Sequence, residues 1–117
     1  MISQKISDII NRIVAEYAPE KIILFGSYAN GNPSDNSDLD LFIIKESSLP
    51  RPDRSVNIRR MLAEENIPMD IIVYTPEEVE KSKSNPYSFV NEVLSSGITL
   101  YEKSNRVYKN LDNQRGS

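Results

Sequence analysis

The chain of 117 residues contains neither cysteine nor histidine. The lack of cysteine excludes disulfide bonds, thiolate nucleophiles and metal sites that are built on thiolates. The lack of histidine removes the commonest general base and the commonest transition-metal ligand. Any metal site must therefore use oxygen ligands, which suit Mg²⁺, Mn²⁺ or Ca²⁺.

Long apolar runs and an excess of positive charge are also missing. No apolar run approaches the roughly 20 residues that span a bilayer, and the N-terminus lacks a basic-then-apolar signal segment. We therefore expect a cytoplasmic protein with no membrane partner. The net charge of −3 and the pI of about 5.0 argue against direct nucleic-acid binding, because surfaces that bind nucleic acids are usually basic.

Hydrophobic patterning predicts an α/β (α+β) fold in which helices flank a small mixed sheet. Apolar residues recur at steps of three and four between residues 3 and 18, which is typical of an amphipathic helix. Short apolar runs rich in branched and aromatic side chains predict strands. The four predicted strands are Lys21–Phe25, Leu39–Lys45, Met69–Tyr74 and Ile98–Glu102.

Capping signals predict the remaining helices. A helix is expected over 53–65, after a loop that contains Pro50 and Pro52. Thr75 begins a capping box with Glu78, and a last helix over 86–95 should end at Gly97 in a left-handed conformation. The length suits one domain, so we expect it to occupy 1–103, followed by a polar, disordered tail over 104–117.

Two aspartates stand one residue apart at the start of the second predicted strand. Residues two apart on a strand point to the same face, so Asp38 and Asp40 should project together while Leu39 faces the core. The helix between the second and third strands predicts a parallel crossover, which would bring Asp70 beside the pair. Three converging carboxylates repel one another unless cations lie between them, so two hard divalent ions are the expected occupants.

A Gly-Ser pair ends the first strand, upstream of the aspartates. Gly26 permits a close approach of the backbone to a ligand, and the Ser27 hydroxyl can donate a hydrogen bond to a phosphate oxygen. A short helix that began at Ser27 would add free N–H groups that attract anions. Together these residues predict a phosphate-binding turn that faces a carboxylate cluster.

The spacing Gly26-Ser27, ten residues, then Asp38-Leu39-Asp40-Leu41 resembles the DNA polymerase β-like nucleotidyltransferase superfamily, and the resemblance covers most of residues 10–102. It is similar above all to the minimal nucleotidyltransferases (MNT) that act as antitoxins of HEPN toxins. The resemblance implies a polymerase β-like nucleotidyltransferase fold. It also implies transfer of AMP from ATP to a tyrosine hydroxyl of a HEPN-type partner.

The resemblance also implies roles for single residues. Asp38 and Asp40 would coordinate two Mg²⁺ ions (Mn²⁺ would also suit), and Asp70 would complete the metal site and help deprotonate the acceptor. Gly26 and Ser27 would hold the β- and γ-phosphates of ATP. The resemblance does not settle the acceptor, the base preference or the number of AMP units transferred, and it leaves a homo-oligomer open.

One position departs from the pattern. Many relatives read GSxARG, whereas this chain has Asn30 before Gly31. Lys21 or Arg51 could take over the role of the missing arginine. This departure keeps open an antitoxin that binds its toxin without catalysis. A nucleotidyltransferase that modifies a small molecule such as an aminoglycoside is a separate alternative, and it would need the other wall of its cleft from elsewhere, such as a dimer mate.

Other motifs and other roles fit less well. A P-loop requires Gly-Lys-Ser/Thr, and no lysine follows Gly31. Tyr28 is expected to pack against its own loop rather than to bind a base. The aromatic residues near the C-terminal end, Tyr87, Phe89 and Tyr101, are expected in the core rather than on a partner surface.

Overall fold

The computed structural model describes residues 4–31 and 38–103. A four-stranded sheet forms its centre, in the order β3-β2-β1-β4. Strand β1 pairs antiparallel with β2 and β4, whereas β2 and β3 are parallel. The strands are β1 (Lys21–Phe25), β2 (Leu39–Ile44), β3 (Met69–Tyr74) and β4 (Ile98–Glu102). The helices are α1 (Gln4–Tyr17), α2 (Arg51–Arg54), α3 (Val56–Met61), α4 (Pro76–Lys83) and α5 (Phe89–Ser96).

Both faces of the sheet are buried, which explains why the strands read as continuous apolar runs. On one face, alternate side chains of β2 pack with α1 and α3 in a first core cluster, which includes Leu39, Leu41 and Ile43. On the other face, Phe42 and Ile44 pack with α4 and α5 in a second core cluster. The prediction that Leu39 points into the core is confirmed.

Helix α1 ends as its sequence predicts. Its buried residues are Ile6, Ile9, Ile10 and Ile13, which lie on one side at helical spacing. Ala18 then takes a positive φ of 53°, and Pro19, which cannot donate an i→i−4 hydrogen bond, follows it. The chain turns there into β1.

The helix predicted over 53–65 is divided in the structure. It begins earlier, at Arg51, so Pro52 lies in the first helical turn, where a missing N–H costs nothing. Helices α2 and α3 are separated by Ser55, and a 3₁₀ turn at Ala63–Glu65 follows. The side chain of Arg54 is buried here and binds Glu78 through two hydrogen bonds of 2.6 and 3.0 Å.

The caps of the last two helices confirm one prediction and correct another. Thr75 and Glu78 form the predicted capping box at the start of α4. Gly97 is not left-handed: its φ of −80° and ψ of 168° are extended. Glycine is needed here for space, because a Cβ would lie 2.5 Å from Ile23 Cγ2 and 2.6 Å from the Val93 carbonyl oxygen.

No helix within 4–31 or 38–103 is long and apolar enough to cross a membrane. The disordered tail predicted for 104–117 lies outside the described residues.

Candidate active site

Strand register brings two of the predicted acidic residues side by side. Asp40 on β2 pairs with Asp70 in the parallel ladder to β3 and with Phe25 in the antiparallel ladder to β1. Asp38 precedes β2 and is exposed. All three aspartates thus lie at the end of the sheet where β1 ends and where β2 and β3 begin.

Electrostatic repulsion at this end acts most strongly on Asp40. Partial burial raises the pKa of its carboxyl group, and the negative charges of Asp70 and Asp38 raise this pKa further. A bound cation would relieve both effects, because it replaces lost hydration and neutralises charge. The oxygen donors of Asp38 and Asp40 therefore fit a hard divalent ion such as Mg²⁺.

Asp70 has a cationic neighbour that the sequence patterns did not reveal. Arg59 Nη2 lies 3.6 Å from Asp70 Oδ1. The same guanidinium group donates hydrogen bonds to the backbone carbonyl oxygens of Met69 and Ile71 on the outer edge of β3. Within 4–31 and 38–103, no three acidic side chains are close enough together to hold a metal ion as a group. Asp70 is thus paired with Arg59, and a metal ion would compete with this guanidinium for it.

The glycine of the Gly-Ser pair lies directly against the carboxylates. Gly26 has a φ of +75°, a conformation that favours glycine, and a Cβ at this position would overlap the Asp40 carboxylate. Only glycine therefore allows the turn to approach Asp40 this closely. The turn continues with a hydrogen bond of 3.1 Å from the Asn30 N–H to the Gly26 carbonyl oxygen. Residues 26–31 form a turn, so the short helix considered at Ser27 does not form.

The two basic residues suggested as substitutes for the missing arginine lie elsewhere. Lys21 pairs with Ile44 at the opposite end of β1 and forms an ion pair of 3.6 Å with Glu102. Arg51 stacks over the Tyr74 ring, which is also in register with Ile44. Both suggestions were therefore wrong, because these side chains are at the other end of the sheet from Asp40. Among the described residues, Arg59 contacts the acidic end through its ion pair with Asp70.

The aromatic predictions were partly wrong as well. Tyr28 packs against the first core cluster, in agreement with its predicted structural role. Tyr87 is 93% exposed and Phe89 is 39% exposed, so neither is a core residue. Tyr101 is half-buried against the first core cluster.

The polymerase beta nucleotidyltransferase family model matches residues 5–106. The chain belongs to this family. It is also 32% identical over 99 residues to a protein of Methanocaldococcus jannaschii named putative protein adenylyltransferase MJ0604, with 82% of this chain and 94% of that protein covered. The protein is therefore a nucleotidyltransferase, as the Gly-Ser and Asp-x-Asp spacing predicted.

Solved structures share the fold at low sequence identity. A putative nucleotidyltransferase from Sulfolobus solfataricus aligns with a TM-score of 0.60 at 17% identity, covering 86% of this chain and 80% of that chain. A toxin–antitoxin structure with AMP-PNP aligns with a TM-score of 0.59 at 18% identity, covering 97% and 94%. A mutant of the toxin–antitoxin MntA-HpeT aligns with a TM-score of 0.57 at 16% identity, covering 93% and 91%. These similarities confirm the predicted fold of mixed sheet and flanking helices.

Proposed function

We propose that this nucleotidyltransferase transfers AMP from Mg²⁺-bound ATP to a tyrosine hydroxyl group of a HEPN-type toxin and thereby acts as an antitoxin. The observation that carries the proposal is the contact between Gly26 and the Asp40 carboxylate, with Asp70 in register on the next strand. It places a turn suited to phosphates against carboxylates suited to a metal ion. The name of the M. jannaschii relative supports the transfer of AMP to a protein, and the two toxin–antitoxin structures motivate the choice of partner.

Each residue at this end of the sheet would have a separate role in the reaction. Asp38 and Asp40 would hold two Mg²⁺ ions, which when bound stabilise charge on the attacking and leaving oxygens. The backbone of Gly26 and the hydroxyl group of Ser27 would hold the β- and γ-phosphates. Asp70 would accept the proton of the acceptor hydroxyl group.

The bond changes are those of an in-line displacement. The acceptor oxygen forms a bond to the α-phosphorus, the bond from that phosphorus to the bridging oxygen of the β-phosphate breaks, and pyrophosphate leaves. The protein contributes mainly orientation, because it holds the two reactants and the carboxylates in one fixed geometry. In the part of the chain that the structure describes, no second domain faces the carboxylates. A protein acceptor would supply the opposite wall.

A second candidate is an antitoxin that binds its toxin without catalysis. The observation that favours it is the absence of an arginine at Asn30, together with the remote positions of Lys21 and Arg51. In that case, neutralisation of the toxin would depend on the interface alone. A small-molecule acceptor such as an aminoglycoside is the third possibility, and it would leave the toxin unlabelled.

The deciding experiment is transfer of label from α-³²P-ATP with Mg²⁺ to the protein encoded next to this one. We expect label on a tyrosine of that protein, lost in the Asp38→Asn/Asp40→Asn double variant and retained in Asp53→Asn, an exposed aspartate on α2. Neutralisation of the toxin by the double variant would establish the binding antitoxin instead. Label on an aminoglycoside but not on the protein would establish the small-molecule enzyme.

A further inference from the structure

An aromatic side chain lies beside the carboxylates on the sheet face that carries Asp40. Phe25 is directly opposite Asp40 in the antiparallel ladder, and directly opposed residues of such a ladder share a face. The Phe89 ring meets the Phe25 ring edge to face, with ring centroids 5.6 Å apart. Phe89 therefore contacts the residue that lies directly opposite Asp40 in the sheet.

Phe89 is held in place without being covered. A second ring, that of the fully buried Phe42, lies 6.1 Å from Phe89 between centroids and follows Asp40 by two residues on the same face. Such edge-to-face pairs stabilise a fixed ring orientation. The Ser88 side chain caps the first turn of α5 and fixes the backbone beside Phe89. With 39% of its surface exposed, Phe89 is a preorganised aromatic surface at the rim of the site.

The chain places this surface next to the phosphate-binding turn. Phe25, which supports Phe89, is followed at once by Gly26 and Ser27. A nucleotide whose phosphates lie at Gly26 would have its uncharged base within reach of an apolar wall. A phenylalanine ring offers no hydrogen bond, but it stacks well on a nucleobase.

We propose that Phe89, supported by Phe25 and Phe42, is the stacking surface for the nucleobase of the nucleoside triphosphate. This inference rests on the proposed function, because it takes the phosphates to lie at Gly26. It assigns Phe89 to the nucleotide and not to the protein acceptor. It also gives the base a contact that the phosphate-binding turn alone does not supply.

The test compares a ligand that has a base with one that has none. Calorimetric titration in Mg²⁺ would use α,β-methylene-ATP, which cannot transfer AMP, and tripolyphosphate. We expect Phe89→Ala to weaken binding of α,β-methylene-ATP by about 5- to 150-fold, the range of base stacking on one aromatic side chain. Binding of tripolyphosphate should change by less than about twofold. Leu49→Ala, which removes an apolar side chain that is 48% exposed in the loop after β2, should alter neither.

Two further variants guard against a folding artefact. Phe89→Tyr keeps an aromatic face and should bind α,β-methylene-ATP like the parent, whereas Phe89→Leu keeps apolar volume but should behave like Phe89→Ala. In the unmodified protein, NMR should show nuclear Overhauser effects between the adenine protons and the Phe89 ring. Full retention of affinity in Phe89→Leu would overturn the proposal, as would the absence of these effects.

The outcomes separate this inference from the proposed function. If Phe89→Ala binds α,β-methylene-ATP normally but loses affinity for the toxin, the inference is overturned, the surface belongs to the acceptor, and the proposed function stands. Equal weakening of α,β-methylene-ATP and tripolyphosphate would also overturn the inference, because it would show a general disturbance of the site. If the parent protein binds neither ligand, the proposed function fails and the inference fails with it.

Discussion

Gly26 and Asp40 are in direct contact across the adjacent ends of β1 and β2. Gly26 has a positive φ of 75°, and the space that its Cβ would occupy is filled by the Asp40 carboxylate. The two residues are thus constrained together: the acid can face the turn only if the turn carries glycine. This contact makes the Gly-Ser pair and the Asp-x-Asp pair parts of one site.

Replacement of Gly26 by alanine should therefore destabilise the fold more than a positive φ alone would. We expect Gly26→Ala to lower the free energy of unfolding by about 2–3 kcal/mol, since overpacking adds to backbone strain, and to displace Asp40 enough to abolish nucleotidyl transfer. Gly31→Ala is the matched control. Gly31 has a φ of +78°, and among the described residues no atom lies within 4 Å of the position that an added Cβ would take. The free energy of unfolding should therefore fall by only about 1 kcal/mol. Urea denaturation and transfer assays of both variants would check this, and equal losses in the two would contradict it.

Replacement of Asp40 by asparagine should separate stability from activity. Burial and the charges of Asp70 and Asp38 raise the pKa of Asp40, so its ionisation weakens the folded state once the pH rises above its ordinary pKa. Without divalent ions at pH 7, Asp40→Asn should be slightly more stable, by less than about 1 kcal/mol because solvent screens these charges. Transfer should fall at least about 100-fold, since even residues that only orient metal ligands have effects of up to that size.

Thermal unfolding with and without Mg²⁺ would check the Asp40 prediction. Mg²⁺ should raise the melting temperature of the parent protein and of the control Asp53→Asn, but not that of Asp40→Asn. If Mg²⁺ did not change the melting temperature of the parent protein, the assignment of the metal site would be contradicted.

Removal of the Arg59 side chain should change metal binding at Asp70 and the stability of the sheet edge. Arg59→Ala frees Asp70 from its ion pair, so we expect Mn²⁺ affinity, measured by electron paramagnetic resonance, to rise by up to about fivefold, the limit set by an exposed pair. It also removes two hydrogen bonds to β3, so the free energy of unfolding should fall by about 1 kcal/mol. Arg60→Ala, an exposed neighbour on α3, is the control. Weaker Mn²⁺ binding by Arg59→Ala would instead show that Arg59 positions Asp70 for the metal.

The pair formed by Arg54 and Glu78 should control acid stability. Hydrogen bonds from Arg54 lower the pKa of Glu78 from 4.5 to about 2. A lowered pKa means that the stabilisation is present above the unfolded value and is lost as the pH falls from about 4.5 to 2. Glu78→Gln should have a free energy of unfolding about 2 kcal/mol lower than that of the parent protein at pH 7. Its free energy of unfolding should also fall less steeply between pH 4.5 and pH 2.

Glu77→Gln is the matched control for Glu78→Gln. Glu77 lies in the same turn of α4, but its side chain is 78% exposed and only faces Lys81. Guanidinium denaturation between pH 5 and pH 2 should give Glu77→Gln the steep decline of the parent protein. If Glu78→Gln declined as steeply, the ion pair would not be the source of the acid sensitivity.

Local patterns predicted the strands well and the helix ends less well. All four strands lie where apolar runs place them, and only Lys45 falls outside β2. Burial on both faces makes such runs continuous, so their ends are sharp in the sequence. The helix predicted over 53–65 failed in detail, because the segment that contains Arg54 is organised by contacts to Val73 and Glu78, which are far away in the chain. Gly97 was misread because the reason for a glycine there is the proximity of Ile23.

The acidic motif and its glycine could be predicted from the sequence because both depend on spacing within one segment. Asp38 and Asp40 are two residues apart, and Gly26 directly follows β1, the strand that pairs with β2. The side chains that surround the motif depend on long-range packing instead. The register between β2 and β3 sets Asp70 opposite Asp40, the position of α3 brings Arg59 to Asp70, and the placement of α5 over Phe25 and Phe42 leaves Phe89 at the rim. Contacts between residues distant in the chain leave no periodic trace, so only the folded structure could identify these partners.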